Sequence, residues 1–131
     1  MSEHQYTRVG DVMTPKPHVI DGLATVRETI DLMRREQVSS VIVDRRHKGD
    51  EYGIVVVYDI AVEIVGKDRS PERTNVYEIM SKPVVAVEAD MDIKYAIRLL
   101  SRFTLSRAVV LESGLLVGIV TLRDMVLRFA N

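Results

Sequence analysis

The strongest constraint on this chain is that it carries one pattern twice. Laid over itself at an offset of 67, Val12-Met13-Thr14 falls on Ile79-Met80-Ser81 and Ile20 on Val87. Val26, Ile30 and Met33 then meet Ile93, Ile97 and Leu100, Val38-Ser39 meets Leu105-Ser106, and Ile42-Val43 meets Val109-Val110. Two additional residues within 45–52 change the offset to 65, after which Gly53-Ile54-Val55 matches Gly118-Ile119-Val120 and Asp59 matches Asp124. Self-similarity at a fixed period marks a duplicated structural unit. A small insertion in an exposed polar turn is what such a unit tolerates.

Each copy reads the same way. A short apolar run (18–20, or 84–87) follows a proline and predicts a strand. An amphipathic helix comes next, with Thr25 or Asp92 as N-cap and apolar residues at helical spacing. Two aliphatic runs follow (41–43 with 54–57, and 108–111 with 115–120), joined by polar hairpin turns at 45–50 and 112–114. A closing helix starts near Asp59 or Asp124. The stretch 67–75, with Pro71 and mixed charges, is the connection, so the reading places one domain at 8–66 and a second at 76–130.

A half of about sixty residues buries too little surface to stand comfortably alone. A three-stranded sheet with helices on one face leaves its other face bare, and two copies can cover each other. The expected fold class is therefore α+β: two β-α-β-β-α repeats packed sheet to sheet about a pseudo-two-fold axis.

Composition removes several functions. The 131 residues are 47% hydrophobic and 28% charged with a net charge of -1, and the two signs are interspersed. No global field draws such a chain to nucleic acid or to a membrane surface. Cysteine is absent, which removes thiol nucleophiles, disulfides and thiolate metal sites. The first thirteen residues are too polar for a signal peptide, and the apolar segment 54–65 is broken by Asp59 and Glu63. A cytoplasmic location is the expectation. His4, His18 and His47 stand apart with no partner at ligand spacing, which argues against a metal.

The order of elements, the openings Asp11-Val12-Met13-Thr14 and Glu78-Ile79-Met80-Ser81, and the ending Gly-Ile-Val-x-x-x-Asp resemble the cystathionine β-synthase (CBS) domain. The resemblance runs from about Val9 to Phe129, and two such domains in tandem are called a Bateman module. It implies a regulatory module with ligand clefts between its domains, binding AMP, ADP, ATP or S-adenosylmethionine and requiring no cofactor. It also implies a homodimer, an unidentified target protein, and no enzymatic activity.

The implied ribose ligand is the Asp that ends a Gly-x-x-Thr/Ser-x-x-Asp motif. The second copy has that motif complete, from Gly118 through Thr121 to Asp124. A carboxylate can accept from both vicinal ribose hydroxyls, and Thr121 at a helix start suits a phosphate. Arg107 resembles the basic residue that reaches the phosphates, with a fixed fork of donors. Met80, Pro83, Val84 and Val85 are the implied adenine lining. The first copy departs from the pattern, with Val56 in place of the hydroxyl residue and Ser40 in place of Arg107. Its cleft, with Asp59, Ser39, Ser40 and Gly53, ranks second.

Plainer roles stand beside these. Asp124 can serve as a helix-dipole partner, Thr121 as a cap and Arg107 as a surface strand residue. The run 45–48 reads as a solvated turn, and Met13, Met33, Met80 and Met91 as core or cleft filler. The alternative function is a constitutive dimerisation or docking module whose clefts are vestigial.

Overall fold

The computed structural model describes residues 6–82 and 84–129. In chain order these are helix α1 (Val9–Val12), strands β1 (Thr14–Pro15) and β2 (Val19–Ile20), helix α2 (Val26–Glu36), and strands β3 (Ser40–Val43) and β4 (Gly53–Val56). Helix α3 (Val57–Ile60) runs on as a π-helical turn (Ala61–Val65), and a 3-10 turn (Val76–Glu78) precedes strand β5 (Ala86–Glu88). Helix α4 (Ile93–Arg102), strands β6 (Arg107–Glu112) and β7 (Leu115–Thr121), and helix α5 (Leu122–Phe129) complete the chain. The fold is α+β with two sheets, and the expected order of elements appears twice.

The chain forms two compact units. One combines the residues up to Pro17 with those from Val85 onward, and the other is His18–Val84. Within the latter, the sheet has the order β2-β3-β4, with β2 parallel to β3 and β4 antiparallel. Its core gathers Val26, Met33, Val41, Val43, Val55 and Ile60 with Val76 and Ile79. Helix α2 opens on a capping box. The Thr25 hydroxyl accepts from the Glu28 N–H at 3.1 Å, and the Glu28 carboxylate accepts from the Thr25 N–H at 3.1 Å.

The stretch 67–75 does not hang free. The carbonyls of Thr74 and Pro71 accept the Val26 and Arg27 N–H groups at 2.8 and 3.0 Å, satisfying donors that a first helical turn leaves open. Arg27 and Glu72 pair at 3.0 Å on the same side.

The other unit has a four-stranded sheet, β1-β7-β6-β5, rather than the three strands expected. The additional strand, β1, pairs antiparallel with β7, setting Thr14 opposite Ile119 and Pro15 opposite Gly118. A two-residue strand has no periodicity to read, and Pro15 is tolerated because β1 is an edge. Val87, Ala96, Leu100, Val110, Val120 and Met125 fill the core, joined by Val9 and Val12.

The repeated openings now have structural reasons. Asp11 accepts the Arg8 N–H at 3.3 Å and Glu78 accepts the Asn75 N–H at 2.8 Å, each closing the start of a short helical turn. The methionine two residues later lies over a glycine. A Cβ on Gly53 would stand 2.6 Å from the Met80 sulfur, and one on Gly118 would press into Met13 and lie 2.8 Å from the Thr14 carbonyl oxygen. Hence the opening motif of each sequence repeat packs, within one unit, on the glycine that ends the other repeat.

The hairpin with the two additional residues is pinned by Asp50. Lys82 reaches its carboxylate at 2.7 Å and the Arg46 N–H donates to it at 3.0 Å. The Lys82 ammonium, then the backbone donors of Arg46 and Glu51, hold the Asp50 carboxyl well below the usual carboxylate range. A depressed folded-state pKa gives stability that is fully present above the unfolded value, ~3.9, and is lost as pH falls towards the folded one. Asp50→Asn is therefore expected to lower the denaturation midpoint at neutral pH. The gap from wild type should close on acidification below about pH 4, read from urea melts across the acid range.

Candidate functional site

The residues with the clearest chemistry meet where β7 passes into α5. Thr121 ends the strand, and its hydroxyl accepts the Asp124 N–H at 3.0 Å, the geometry of an N-cap. The Ser106 carbonyl takes the Leu122 N–H at 2.9 Å and fixes the turn from strand to helix. Arg107 is the direct antiparallel partner of Thr121, so their side chains leave the same face of the sheet.

All three side chains, Arg107, Thr121 and Asp124, are half-buried. Among the described residues nothing donates to the Asp124 carboxylate, and no acid pairs with Arg107. An anionic acceptor and a permanent cation thus stand on one strand-to-helix junction, neither with an ion-pair partner among the described residues.

The first repeat builds the same junction with a different outcome. The Ser39 carbonyl takes the Val57 N–H at 3.0 Å, as Ser106 does for Leu122, and Ser40 lies opposite Val56 as Arg107 lies opposite Thr121. Val56 has no hydroxyl. Its backbone N–H donates to the Asp59 carboxylate at 3.0 Å, so this Asp bends back on its own strand end.

Gly118 is buried in β7 against Met13 and Thr14, and Gly53 is buried in β4 against Met80 and Ser81. The Val85 carbonyl accepts the Val109 N–H at 3.0 Å, which joins the lead into β5 to β6 in the unit that holds Asp124. Met80 and Val84 belong to the other unit, where Met80 sits with Gly53. Pro83 lies outside the described residues, as does His4. The structure thus gathers Arg107, Thr121, Asp124, Gly118 and Val85 in one unit, and Ser39, Ser40, Gly53, Asp59, Met80 and Val84 in the other.

The other sequence candidates have quieter surroundings. Met33 is core and Met91 packs on the core of its unit. His18 lies 3.9 Å from Glu36, and the run 45–48 sits in the hairpin held by Asp50. Among the described residues no group of three or more His, Asp or Glu could hold a metal, and no helix is long and apolar enough to cross a membrane. The bond from the Val56 N–H to Asp59 has no periodic signal in the sequence.

The CBS domain family matches residues 9–66 and again 76–131, and the chain belongs to that family as a tandem pair, which is a regulatory module. An uncharacterized protein of Methanopyrus kandleri, MK0525, is 31% identical over 116 residues, which span 88% of this chain and 56% of that protein. The chain therefore covers little more than half of this relative's length. A solved hexameric CBS-CP12 protein from bloom-forming cyanobacteria is 33% identical, with a TM-score of 0.86 over 92% of this chain and 69% of that one. CBSX2 in complex with AMP shares the fold, with a TM-score of 0.73, 24% identity, and coverage of 95% and 98%.

Proposed function

We propose that this CBS pair senses an adenosine-containing nucleotide and that occupancy changes how it engages a partner protein. The observation that carries the proposal is the Asp124 carboxylate, with no donor among the described residues, at the junction that also holds the capping Thr121 and Arg107, which has no acid partner among those residues. A ribose offers two adjacent hydroxyl donors to such a carboxylate, at about 1.5–3 kcal/mol for charge-assisted bonds. Arg107 supplies donors for the first phosphate, and the open N–H groups at the start of α5 add to the attraction. Gly118 and Val85, which lie in the same unit as Asp124, are proposed as further contacts to the nucleoside. The AMP held by CBSX2 supports the ligand class through the shared fold only.

A second reading, a docking module, is favoured by apolar side chains left on helix faces: Val65 is 74% exposed and Phe129 65%. Such faces suit self-association, and we infer a homodimer; the related CBS-CP12 protein is hexameric.

The phosphate part of the proposal is tested by thermal shift with adenosine, AMP, ADP, ATP and S-adenosylmethionine. A ligand at 100 times its Kd stabilises a folded protein by about 2.7 kcal/mol, a shift of several degrees. The wild type should favour AMP over adenosine. Arg107→Ala should lose about tenfold in AMP affinity while its adenosine affinity hardly changes. Equal losses for both ligands would detach Arg107 from the phosphate.

A further inference from the structure

Helices α2 and α4 are the same element of the two repeats, yet their charges are arranged differently. In α2, Arg27 pairs with Glu72 at 3.0 Å, Arg34 with Asp31 at 3.8 Å and Arg35 with Glu36 at 3.3 Å, so each of its cations meets an acid. At the offset of 67, the acids Glu28, Asp31 and Glu36 give way to Tyr95, Arg98 and Phe103. Helix α4 therefore holds Lys94, Arg98 and Arg102 and no acid, and among the described residues none of the three has an ion-pair partner. We infer that this face of α4, with the exposed Tyr95 among its cations, is a docking surface for an acidic segment of a partner protein. The inference gives a chemistry to the partner of the proposed function and does not depend on the nucleotide site.

The stability of the helix does not account for this pattern. A cation in the first turn opposes the helix dipole, and Lys94 stands there with no acid beyond the N-cap Asp92. Like charges four residues apart repel, and Lys94, Arg98 and Arg102 follow one another at that spacing. Only Arg102, in the last turn, favours the helix. Two of the cations lie over the Tyr95 ring, Lys94 at 5.2 Å and Arg98 at 5.6 Å, which gathers both positive heads at one spot. Tyrosine beside arginine is characteristic of protein interfaces, and carboxylates are the complement of such a face. A nucleic acid would meet a chain of net charge -1 and an aromatic ring already engaged by two cations. A second copy presenting the same face would set cation against cation, which disfavours an isologous contact here.

The test uses the full chain and a fluorescently labelled deca-glutamate peptide, read by anisotropy at low salt and without nucleotide. Wild type is expected to bind the peptide, and more weakly as salt rises. Lys94→Gln with Arg98→Gln should weaken binding at least about tenfold while the thermal midpoint stays level or rises. Arg34→Gln with Arg35→Gln, which removes cations already paired on α2, should leave peptide binding unchanged. No binding by the wild type, or an equal loss in the α2 variant, would overturn the inference. A lower midpoint for the α4 variant than for the α2 variant would assign these cations to the fold and overturn it as well. Tighter binding of oligothymidylate or of phosphatidylserine vesicles than of the peptide would replace the acidic protein segment with nucleic acid or a membrane. Because no nucleotide is present, a failure of AMP to bind in a separate titration would remove the nucleotide reading and leave this one standing.

Discussion

Gly118→Val is expected to destabilise the protein by about 1–3 kcal/mol, with the loss falling on the unit that contains β7. Gly118 is buried, and any Cβ there meets the Met13 side chain and stands 2.8 Å from the backbone carbonyl oxygen of Thr14. A flexible thioether can move, but the carbonyl belongs to β1, which pairs with β7 in the register Thr14–Ile119 and Pro15–Gly118. The substitution therefore pushes β1 off the sheet edge. Urea melts should show a lower midpoint, and Gly118→Val with Met13→Ala should recover only the part due to the sulfur. An unchanged midpoint for Gly118→Val would mean that β1 is not held as described.

Asp124→Ala is expected to do the reverse, leaving stability nearly unchanged while removing binding. The substitution keeps the backbone N–H that Thr121 accepts, so the cap on α5 survives. Only the carboxylate goes, and its charge near a helix start contributes about 0.3–1 kcal/mol to the fold. Towards a ribose the same carboxylate is worth about 1.5–3 kcal/mol, so affinity should fall tenfold or more. If Asp124 is only a dipole partner, the melt moves and the binding does not. Comparing the two readouts separates the roles.

Much of this was legible in the sequence. The duplication, the capped helices at Thr25 and Asp92 and the hairpins follow from periodicity and cap chemistry, which are local properties. The connections between segments far apart in the chain were not. Nothing local says that Met13 will lie over Gly118 and Met80 over Gly53, because each pairing depends on which repeat a segment of a few residues packs against. The short strand β1 escaped for the same reason.

At the site, the motif was visible as residue types, and Val56 stood out as a departure from it. How Asp59 is held could not be read, because whether its carboxylate faces outward or bends to the Val56 N–H is decided by local side-chain geometry at one junction. The placement of Met80 with Gly53, in the unit that does not contain Asp124, likewise follows from packing rather than from sequence order.

The central claim, that Asp124 marks a nucleotide site, is tested most directly by calorimetric titration of wild type and Asp124→Ala with AMP, ADP, ATP and S-adenosylmethionine. The account predicts saturable binding of at least one of these by the wild type, weakened tenfold or more in the folded variant. No heat from any ligand with folded wild type, or equal affinity in both proteins, would contradict it and turn attention to the exposed helix faces as docking surfaces.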